Sequence, residues 1–198
     1  MNLLRVAFYR LFTLLFLKNR LLKLGSRVTI RRPVRIDGPM NIQIGSGTFI
    51  QRGGWLYTES DSESSAKLII GDNCVLGYNN HIASVGSVII GNNVLTANNV
   101  HISDNTHSYS DISRPIVEQE VVFCRSVEVG DGSWIGENVC ILSASVGRNS
   151  VIGANSVVTR DVPDFCVAVG APALVIKHFN QESRTWEDGP PADHSTNI

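Results

Sequence analysis

The chain has 198 residues, a formal net charge of −1 at neutral pH and a hydrophobic content of 43%. That length allows one domain, or one domain with an appendage, and the hydrophobic fraction is enough for a sizeable core. A nearly neutral chain argues against a nucleic-acid-binding surface, which needs an excess of basic residues. The four cysteines form no CxxC pair, so we expect free thiols in a reducing compartment rather than disulfides.

Residues 3–24 predict a basic amphipathic helix. Arg10 interrupts the apolar run and no small-residue cleavage site follows, which argues against a signal peptide. Arg5, Arg10 and Lys18 also argue against a membrane span, which needs about 20 nearly uncharged residues. Two interpretations stay open: the helix packs on the end of the core as a cap, or it lies on the inner membrane surface as a peripheral contact. Its apolar residues share one broad helical face: Leu3, Leu4, Ala7, Phe8, Leu11, Leu14 and Leu15.

From about Val28 onward the chain repeats itself, and over 66–103 and 127–162 the period is a regular six residues. Each unit opens with an aliphatic residue, follows it with Gly or a small residue, and places Asn or Asp soon after. One aliphatic in six is too few for an amphipathic helix. It suits a short strand, a bend and another short strand, with the aliphatic side chains directed to a shared axis. An internal period of this kind specifies a solenoid.

The repeat divides the chain into three predicted regions. Residues 1–27 hold the helix, residues 28–179 hold the solenoid, and residues 180–198 form a tail that we expect to be mostly disordered. Within the solenoid the polar stretch 59–65 predicts a surface loop. Residues 104–126 break the period and predict an insertion that leaves the solenoid and returns to it.

The six-residue period resembles that of the hexapeptide-repeat acyltransferases, and the likeness covers about residues 66–179. Three ordered motifs extend it, at Trp134-Ile-Gly-Glu-Asn-Val139, at 152–163 (IGANSVVTRDVP) and at 169–176 (VGAPALVI). The stretch Asn80-His-Ile-Ala-Ser84 and a Trp-Glu pair after the last motif are most similar to the O-acetyltransferases of lipopolysaccharide and capsule biosynthesis.

This resemblance implies an all-β fold, a left-handed parallel β-helix of triangular cross-section. It also implies a homotrimer with active sites between neighbouring subunits, working in the cytoplasm. The expected reaction is acetyl transfer from acetyl-CoA to a sugar hydroxyl. Such a transfer needs a base for the hydroxyl proton, donors for the tetrahedral oxyanion, and two substrates held in line.

The resemblance places the catalytic base at His107, where a coil gives way to the loop. An imidazole suits this task because its ordinary pKa, about 6.5, lies near the working pH. Direct transfer from the coenzyme needs no Ser or Cys nucleophile. The acceptor-binding Asn of galactoside-type enzymes falls on Gly77 here, so we expect nearby polar residues to contact the acceptor instead. The candidates are Asn79, Asn80, His81 and Asp104, although a plain turn former at Asp104 and a stacked surface residue at His81 stay open alternatives.

For the coenzyme the resemblance implies contacts in the last coils. The N–H of Glu137 is expected to donate to the thioester oxygen, and Arg160 to reach the nucleotide phosphates. Leu174 stands where the family usually has Arg or Lys, so one phosphate contact is missing. The full set of expected coenzyme residues is Trp134, Glu137, Ala154, Thr159, Arg160 and Lys177.

Three alternatives remain beside this interpretation. The first is N-acetylation of an amino-sugar nucleotide, which would use the same base on an amine. The second is a zinc-dependent carbonic anhydrase, since His81, His101 and His107 could supply three imidazoles, but their spacing does not match that family and we expect no metal. The third is a non-catalytic scaffold.

Overall fold

The computed structural model describes residues 3–59 and 67–191. Most of the predicted loop at 59–65 and the last seven residues of the predicted tail lie outside these ranges. The described chain starts with a helix, α1 (Leu3–Leu17), and continues into 22 short strands, β1–β22 in chain order. Two short 3-10 helices interrupt them, at Pro39–Asn41 and Ile116–Glu118.

Most of the strands stack into three parallel sheets, which form faces A, B and C of one solenoid. Face A holds β1 (Lys23–Leu24), β4 (Ile42–Ile44), β7 (Lys67–Ile70), β10 (Ser87–Ile90) and β15 (Val127–Val129). Face B holds β2 (Thr29–Ile30), β5 (Phe49–Ile50), β8 (Val75–Leu76), β11 (Leu95–Thr96), β16 (Trp134–Ile135), β18 (Val151–Ile152) and β20 (Cys166–Val169). Face C holds β3 (Arg35–Asp37), β6 (Trp55–Thr58), β9 (His81–Ser84), β12 (His101–Ser103), β17 (Cys140–Leu142) and β19 (Val157–Val158).

The aliphatic residue that opens each repeat faces the axis. On face C, Ile82, Ile102 and Ile141 are direct neighbours in the parallel register and are fully buried. Strand side chains alternate between two faces, so the residues beside these three point outward. The predicted mostly-β architecture with a six-residue repeat is confirmed.

Asparagines form one corner of the solenoid, between faces B and C. Asn79, Asn99, Asn138 and Asn155 all have positive φ, between 56° and 59°. Asparagine tolerates this left-handed conformation better than most residues. The side-chain amides of the first three each donate to the next asparagine along the column, at 3.2, 3.0 and 3.0 Å. The repeated Asn of the sequence is therefore a turn former with a stacked amide ladder.

Helix α1 closes the start of the solenoid, but not with the face that the sequence suggested. It ends at Leu17, and Lys23–Leu24 already belong to β1. Leu17 is buried in the core, whereas Phe8, Leu11 and Leu15 are 62%, 56% and 66% exposed. Within the chain, the first coils therefore leave most of the surface of Phe8, Leu11 and Leu15 uncovered. No helix in the described ranges is both long and apolar enough to cross a membrane.

The start of the predicted disordered tail is ordered instead. Strands β21 (Leu174–Asn180) and β22 (Thr185–Asp188) continue face B as an antiparallel hairpin beyond β20. Phe179 and Trp186 contact each other edge to face, with ring centroids 5.6 Å apart. The hairpin forms because the last coil leaves an unpaired strand edge, and a returning strand satisfies those backbone groups.

Candidate active site

The inserted loop carries His107 on a small antiparallel ribbon. Strands β13 (Asn105–His107) and β14 (Val121–Phe123) pair outside the solenoid, with His107 opposite Val121. The His107 side chain is exposed at the end of this ribbon. An imidazole in that position can accept a proton from a bound substrate without a change in the core.

The rest of the insertion is folded around a single amide side chain. Gln119 is 9% exposed, and its amide nitrogen donates to the carbonyl oxygens of Asp111 and Arg114, at 2.9 and 3.0 Å. Its side-chain oxygen accepts from the Asp111 N–H and the Ser108 hydroxyl, both at 3.3 Å. These bonds hold the segment that follows His107, and no motif in the sequence indicates them.

Asp104 anchors the ribbon and is closed to a substrate. It is fully buried, and its carboxylate accepts from the backbone N–H groups of Val85, Gly86 and Ser87 at 2.8–2.9 Å. A Cβ on Gly86 would clash with the Phe123 ring, so glycine lets the ribbon pack there. The prediction that Asp104 binds the acceptor is therefore corrected, because its oxygens are already used in holding the turn.

Asn79 and Asn80 also have structural roles. The Asn80 side chain is 3% exposed, donates to the Thr96 hydroxyl and accepts from the Val100 N–H at 2.9 Å. Asn79 belongs to the corner ladder, where its amide donates to Asn99. The predicted acceptor contact is corrected for Asn80, which points inward. For Asn79 the ladder accounts for the amide, although its side chain is exposed.

His81 lies in a column of rings along the outside of face C. Its ring is parallel to that of Trp55, with centroids 4.3 Å apart, and the His101 ring follows at 4.8 Å. The guanidinium of Arg35 covers the other side of Trp55 at 4.3 Å. The sequence analysis missed Trp55 and Arg35, although the parallel register places all four in one line. His81 can therefore offer an acceptor only the edge of its ring.

Burial keeps both histidines of this column uncharged. It lowers the pKa of His81 below its ordinary 6.5, and the neighbouring His101 and Arg35 lower that pKa further. Burial also lowers the pKa of His101. A second cation between Arg35 and another imidazole would be poorly solvated, so Arg35 is the charged member of the column at neutral pH and the two imidazoles are uncharged.

This lowered pKa predicts a loss of stability in mild acid. The unfolded chain takes up protons near pH 6.5, whereas the folded histidines do so at lower pH, so stability falls as pH drops below about 6.5. His101→Gln should therefore flatten the dependence of the thermal midpoint on pH between about 7.5 and 5.5. Val157→Thr, a neutral change in the same column, should leave it as in the wild type. If the thermal midpoint of His101→Gln depends on pH as steeply as that of the wild type, the lowered pKa of His101 is not the cause of the acid sensitivity.

The N–H of Glu137 is an open donor at the corner between faces B and C. In the two preceding coils the equivalent N–H groups are bonded. The N–H of Tyr78 donates to the Asn98 side chain at 2.9 Å, and the N–H of Asn98 donates to the Glu137 carboxylate at 3.4 Å. The next residue in the column is Ala154, which has no acceptor side chain. Within the described residues the Glu137 N–H therefore makes no hydrogen bond, and it is free for an oxyanion.

The other expected coenzyme residues lie on the outer surface of the last coils. Trp134 is half-exposed on face B, and Ala154, Thr159 and Arg160 are exposed on either side of β19. Arg160 has no ion-pair partner among the residues that the structure describes. Lys177 differs, because its ammonium lies 3.4 Å from the Asp188 carboxylate. Arg160 is therefore the better-placed cation for a phosphate.

The base and the open amide are attached at opposite edges of face C. The ribbon with His107 leaves after β12, at the edge shared with face A, whereas Glu137 precedes β17 at the edge shared with face B. Histidines 81 and 101 lie on face C and His107 on the ribbon. Among the residues described here, no three His, Cys, Asp or Glu side chains are grouped to hold a metal ion.

Comparisons with known proteins agree with this architecture. A profile of the "hexapeptide repeat of succinyl-transferase" matches residues 67–103 and 126–160. The putative lipopolysaccharide biosynthesis O-acetyl transferase WbbJ of Escherichia coli strain K12 is 37% identical over 134 residues, 64% of this chain and 68% of WbbJ. A galactoside O-acetyltransferase of the same strain is 35% identical over 118 residues, 59% of this chain and 57% of that protein. The crystal structure of AntD, an N-acyltransferase from Bacillus cereus in complex with dTDP and 3-hydroxybutyryl-CoA, superposes with a TM-score of 0.69 at 20% identity, covering 84% of this chain and 87% of AntD.

The chain therefore belongs to the hexapeptide-repeat acyltransferases. The identification made from the residue pattern is confirmed, and so is the prediction that the protein is an enzyme of the acetyltransferase class. The AntD similarity supports the fold.

Proposed function

We propose that the protein is an acetyl-CoA-dependent O-acetyltransferase that acts on a sugar hydroxyl in surface polysaccharide biosynthesis, of lipopolysaccharide O-antigen or capsule. The observation that carries the proposal is the exposed His107 on an ordered ribbon in a chain of this family. The similarity to WbbJ supports the choice of a surface sugar as acceptor.

In the proposed reaction His107 takes the proton of the acceptor hydroxyl as its oxygen attacks the thioester carbon. The carbonyl oxygen becomes an oxyanion, which the Glu137 N–H stabilises by donating to it. When the tetrahedral intermediate collapses, the carbon–sulfur bond breaks and the thiolate leaves. The imidazolium of His107 then returns its proton to the sulfur, and the products are an acetyl ester and free coenzyme A.

We further propose a cytoplasmic homotrimer of left-handed β-helices with the site between subunits. An apolar column along face B supports this assembly. Val75, Leu95 and Trp134 are adjacent in the parallel register and are 41%, 45% and 50% exposed. An exposed apolar stripe of this kind is suited to burial against another chain. Three chains packed side by side would bury it and bring a ribbon of one chain to the last coils of the next.

The alternative acceptor is the amine of an amino-sugar nucleotide. An exposed imidazole can serve either nucleophile, and AntD, which has this fold, is an N-acyltransferase. The deciding experiment is acetyl-CoA turnover against a panel of free sugars, nucleotide sugars and lipid-linked saccharides. A product that hydroxylamine cleaves is an ester and supports O-acetylation. A resistant amide product would establish the alternative, and turnover with no member of the panel would count against both.

Arg160 supplies a second prediction, on coenzyme affinity. Arg160→Ala should raise KM for acetyl-CoA more than it lowers kcat, because a phosphate far from the reacting carbon is bound alike in ground and transition states. Steady-state kinetics with varied acetyl-CoA measure both constants. Arg148→Ala is the matched control, because that guanidinium already pairs with Asp164 at 2.8 Å, and its KM should stay near the wild-type value. A fall confined to kcat in Arg160→Ala would remove Arg160 from the phosphate site.

A further inference from the structure

Helix α1 is attached to the solenoid by its more polar side. The hydroxyl of Thr13 accepts from the N–H of Ile30 at 3.2 Å, and the Arg10 guanidinium donates to the hydroxyl of Thr29 at 3.1 Å. Both bonds reach β2, the first strand of face B. Thr13 and Leu17, on this same side, are 1% and 4% exposed. The helix therefore covers the free edge of the first coil and caps it.

The opposite side of α1 is apolar and open to solvent. Ala7, Phe8, Leu11, Leu14 and Leu15 follow the spacing of one helical face, and we call them the outward face. The four larger side chains are 49–66% exposed. Because the inward side lies on the end of the solenoid, Phe8 and Leu15 on the opposite side point away from it, while Ala7, Leu11 and Leu14 also border an open groove between α1 and residues 24–28. Side-by-side packing of subunits does not cover a surface directed this way.

Positive charge is concentrated at this same end. Residues 1–36 contain nine Lys or Arg and no Asp or Glu, whereas the rest of the chain contains eight Lys or Arg and all eighteen Asp or Glu. Lys18, Arg20, Lys23 and Arg27 are exposed, and within the described ranges none of them forms an ion pair. We call these four residues the cationic rim. An apolar surface with such a rim is complementary to a layer that has an apolar interior and a negatively charged surface.

We propose that the outward face and the cationic rim dock the protein on an anionic lipid membrane, with α1 lying in the plane of the interface. Amphipathic helices bind in this way when apolar side chains enter the boundary below the headgroups and cations contact anionic lipids. Helix α1 is about 22 Å long, enough for four turns on the surface. If the protein is a trimer, three such helices lie at one end and bind with avidity. This places the enzyme beside lipid-linked acceptors, and the docking itself does not depend on the reaction.

The test is co-sedimentation of the full-length protein with phosphatidylcholine vesicles, with and without about 30% phosphatidylglycerol. We expect binding to the anionic vesicles at low salt and release at high salt, because salt screens surface charge. Equal binding to both vesicle types, or none to either, would overturn the proposal.

Two variants and two controls locate the surface. Phe8→Ser with Leu15→Ser should lower partitioning at least tenfold, and Arg20→Gln with Lys23→Gln should lower it about 25-fold at low salt, at about fivefold for each cation.

The controls are Ile112→Ser, at a fully exposed residue of the inserted loop, and Arg184→Gln, at the other end of the solenoid; neither should change binding. Circular dichroism checks the fold of each variant. If the controls lose as much binding as the variants, the proposed surface is wrong.

Sedimentation velocity distinguishes docking of the outward face on a membrane from its self-association with a second copy of the chain. The wild type without vesicles should have the same mass as the Phe8→Ser, Leu15→Ser variant. A larger wild-type assembly that this variant breaks would identify the outward face as a protein interface and overturn the proposal.

Discussion

His107→Ala should lower kcat/KM by about 10²–10⁴, the usual loss when a general base is removed. The fall should be seen in kcat, because the imidazole acts on a proton that moves in the transition state. The side chain is exposed on the ribbon and holds no other element in place, so the fold and assembly should be unchanged. Steady-state turnover of acetyl-CoA with the acceptor found in the panel measures the effect.

Thr106→Ala is the matched control for this experiment. Thr106 lies on the same strand, β13, next to His107 and is also exposed. Neighbouring side chains of a strand point to opposite sides, so Thr106 faces away from a substrate that His107 contacts. Its variant should keep activity within a few-fold of the wild type. If His107→Ala does the same, another group is the base and the proposed mechanism fails.

The six-residue period predicts the solenoid because it specifies where aliphatic side chains must go. Ile82, Ile102 and Ile141 are buried as their positions in the repeat require. The period does not say which way a polar residue at a corner will face. Asn80 and Asp104 turn inward and bond to backbone groups of neighbouring turns, and this follows from how the coils stack. Both are candidates through the family resemblance, Asn80 because it lies near the position of the family's acceptor-binding Asn and Asp104 because it lies near His107.

Contacts between coils are also beyond the sequence pattern. Trp55 and His81 are 26 positions apart, and only the parallel register brings their rings together at 4.3 Å. The unbonded N–H of Glu137 depends on the same register. The register places Ala154 next to it in the following coil, where an Asn or Glu side chain would have accepted a hydrogen bond. Once the register is known, such a donor can be recognised as the first residue in the corner column, in chain order, whose neighbour in the next coil has no acceptor side chain. The period alone does not determine that register across the insertion at 104–126.

For helix α1 the amphipathic pattern correctly predicts a helix but does not determine which of its faces packs on the core. The pattern predicts a helix with one apolar face. It does not say whether that face or the opposite one lies on the core. Here the bond between Thr13 and the free edge of β2 decides the orientation, and it leaves Phe8 and Leu15 outside. The vesicle experiment therefore tests a surface that the protein's own fold does not use.

In the homotrimer proposed above, mixed assemblies of two inactive variants should recover activity, since the ribbon and the coenzyme corner are attached at opposite edges of face C. The first variant is His107→Ala. The second is Ala154→Trp, which fills an exposed position beside the Glu137 N–H and should block the coenzyme. If each site joins the ribbon of one chain to the corner of its neighbour, random assembly at equal amounts restores about a quarter of the sites. The measurement is turnover of acetyl-CoA per mole of mixed trimer.

The matched control is a chain that carries both substitutions, assembled with wild type at equal amounts. A site shared between neighbours needs two wild-type chains in succession, so about a quarter of the sites stay active. A site built within one chain needs only that chain, so about half stay active and the two single variants give no recovery. The two experiments thus have different outcomes for each arrangement. Recovery near a quarter in both assigns the ribbon and the coenzyme corner of each site to different subunits. No recovery in the first, with about half in the second, would place both in one chain and require the ribbon to reach across face C.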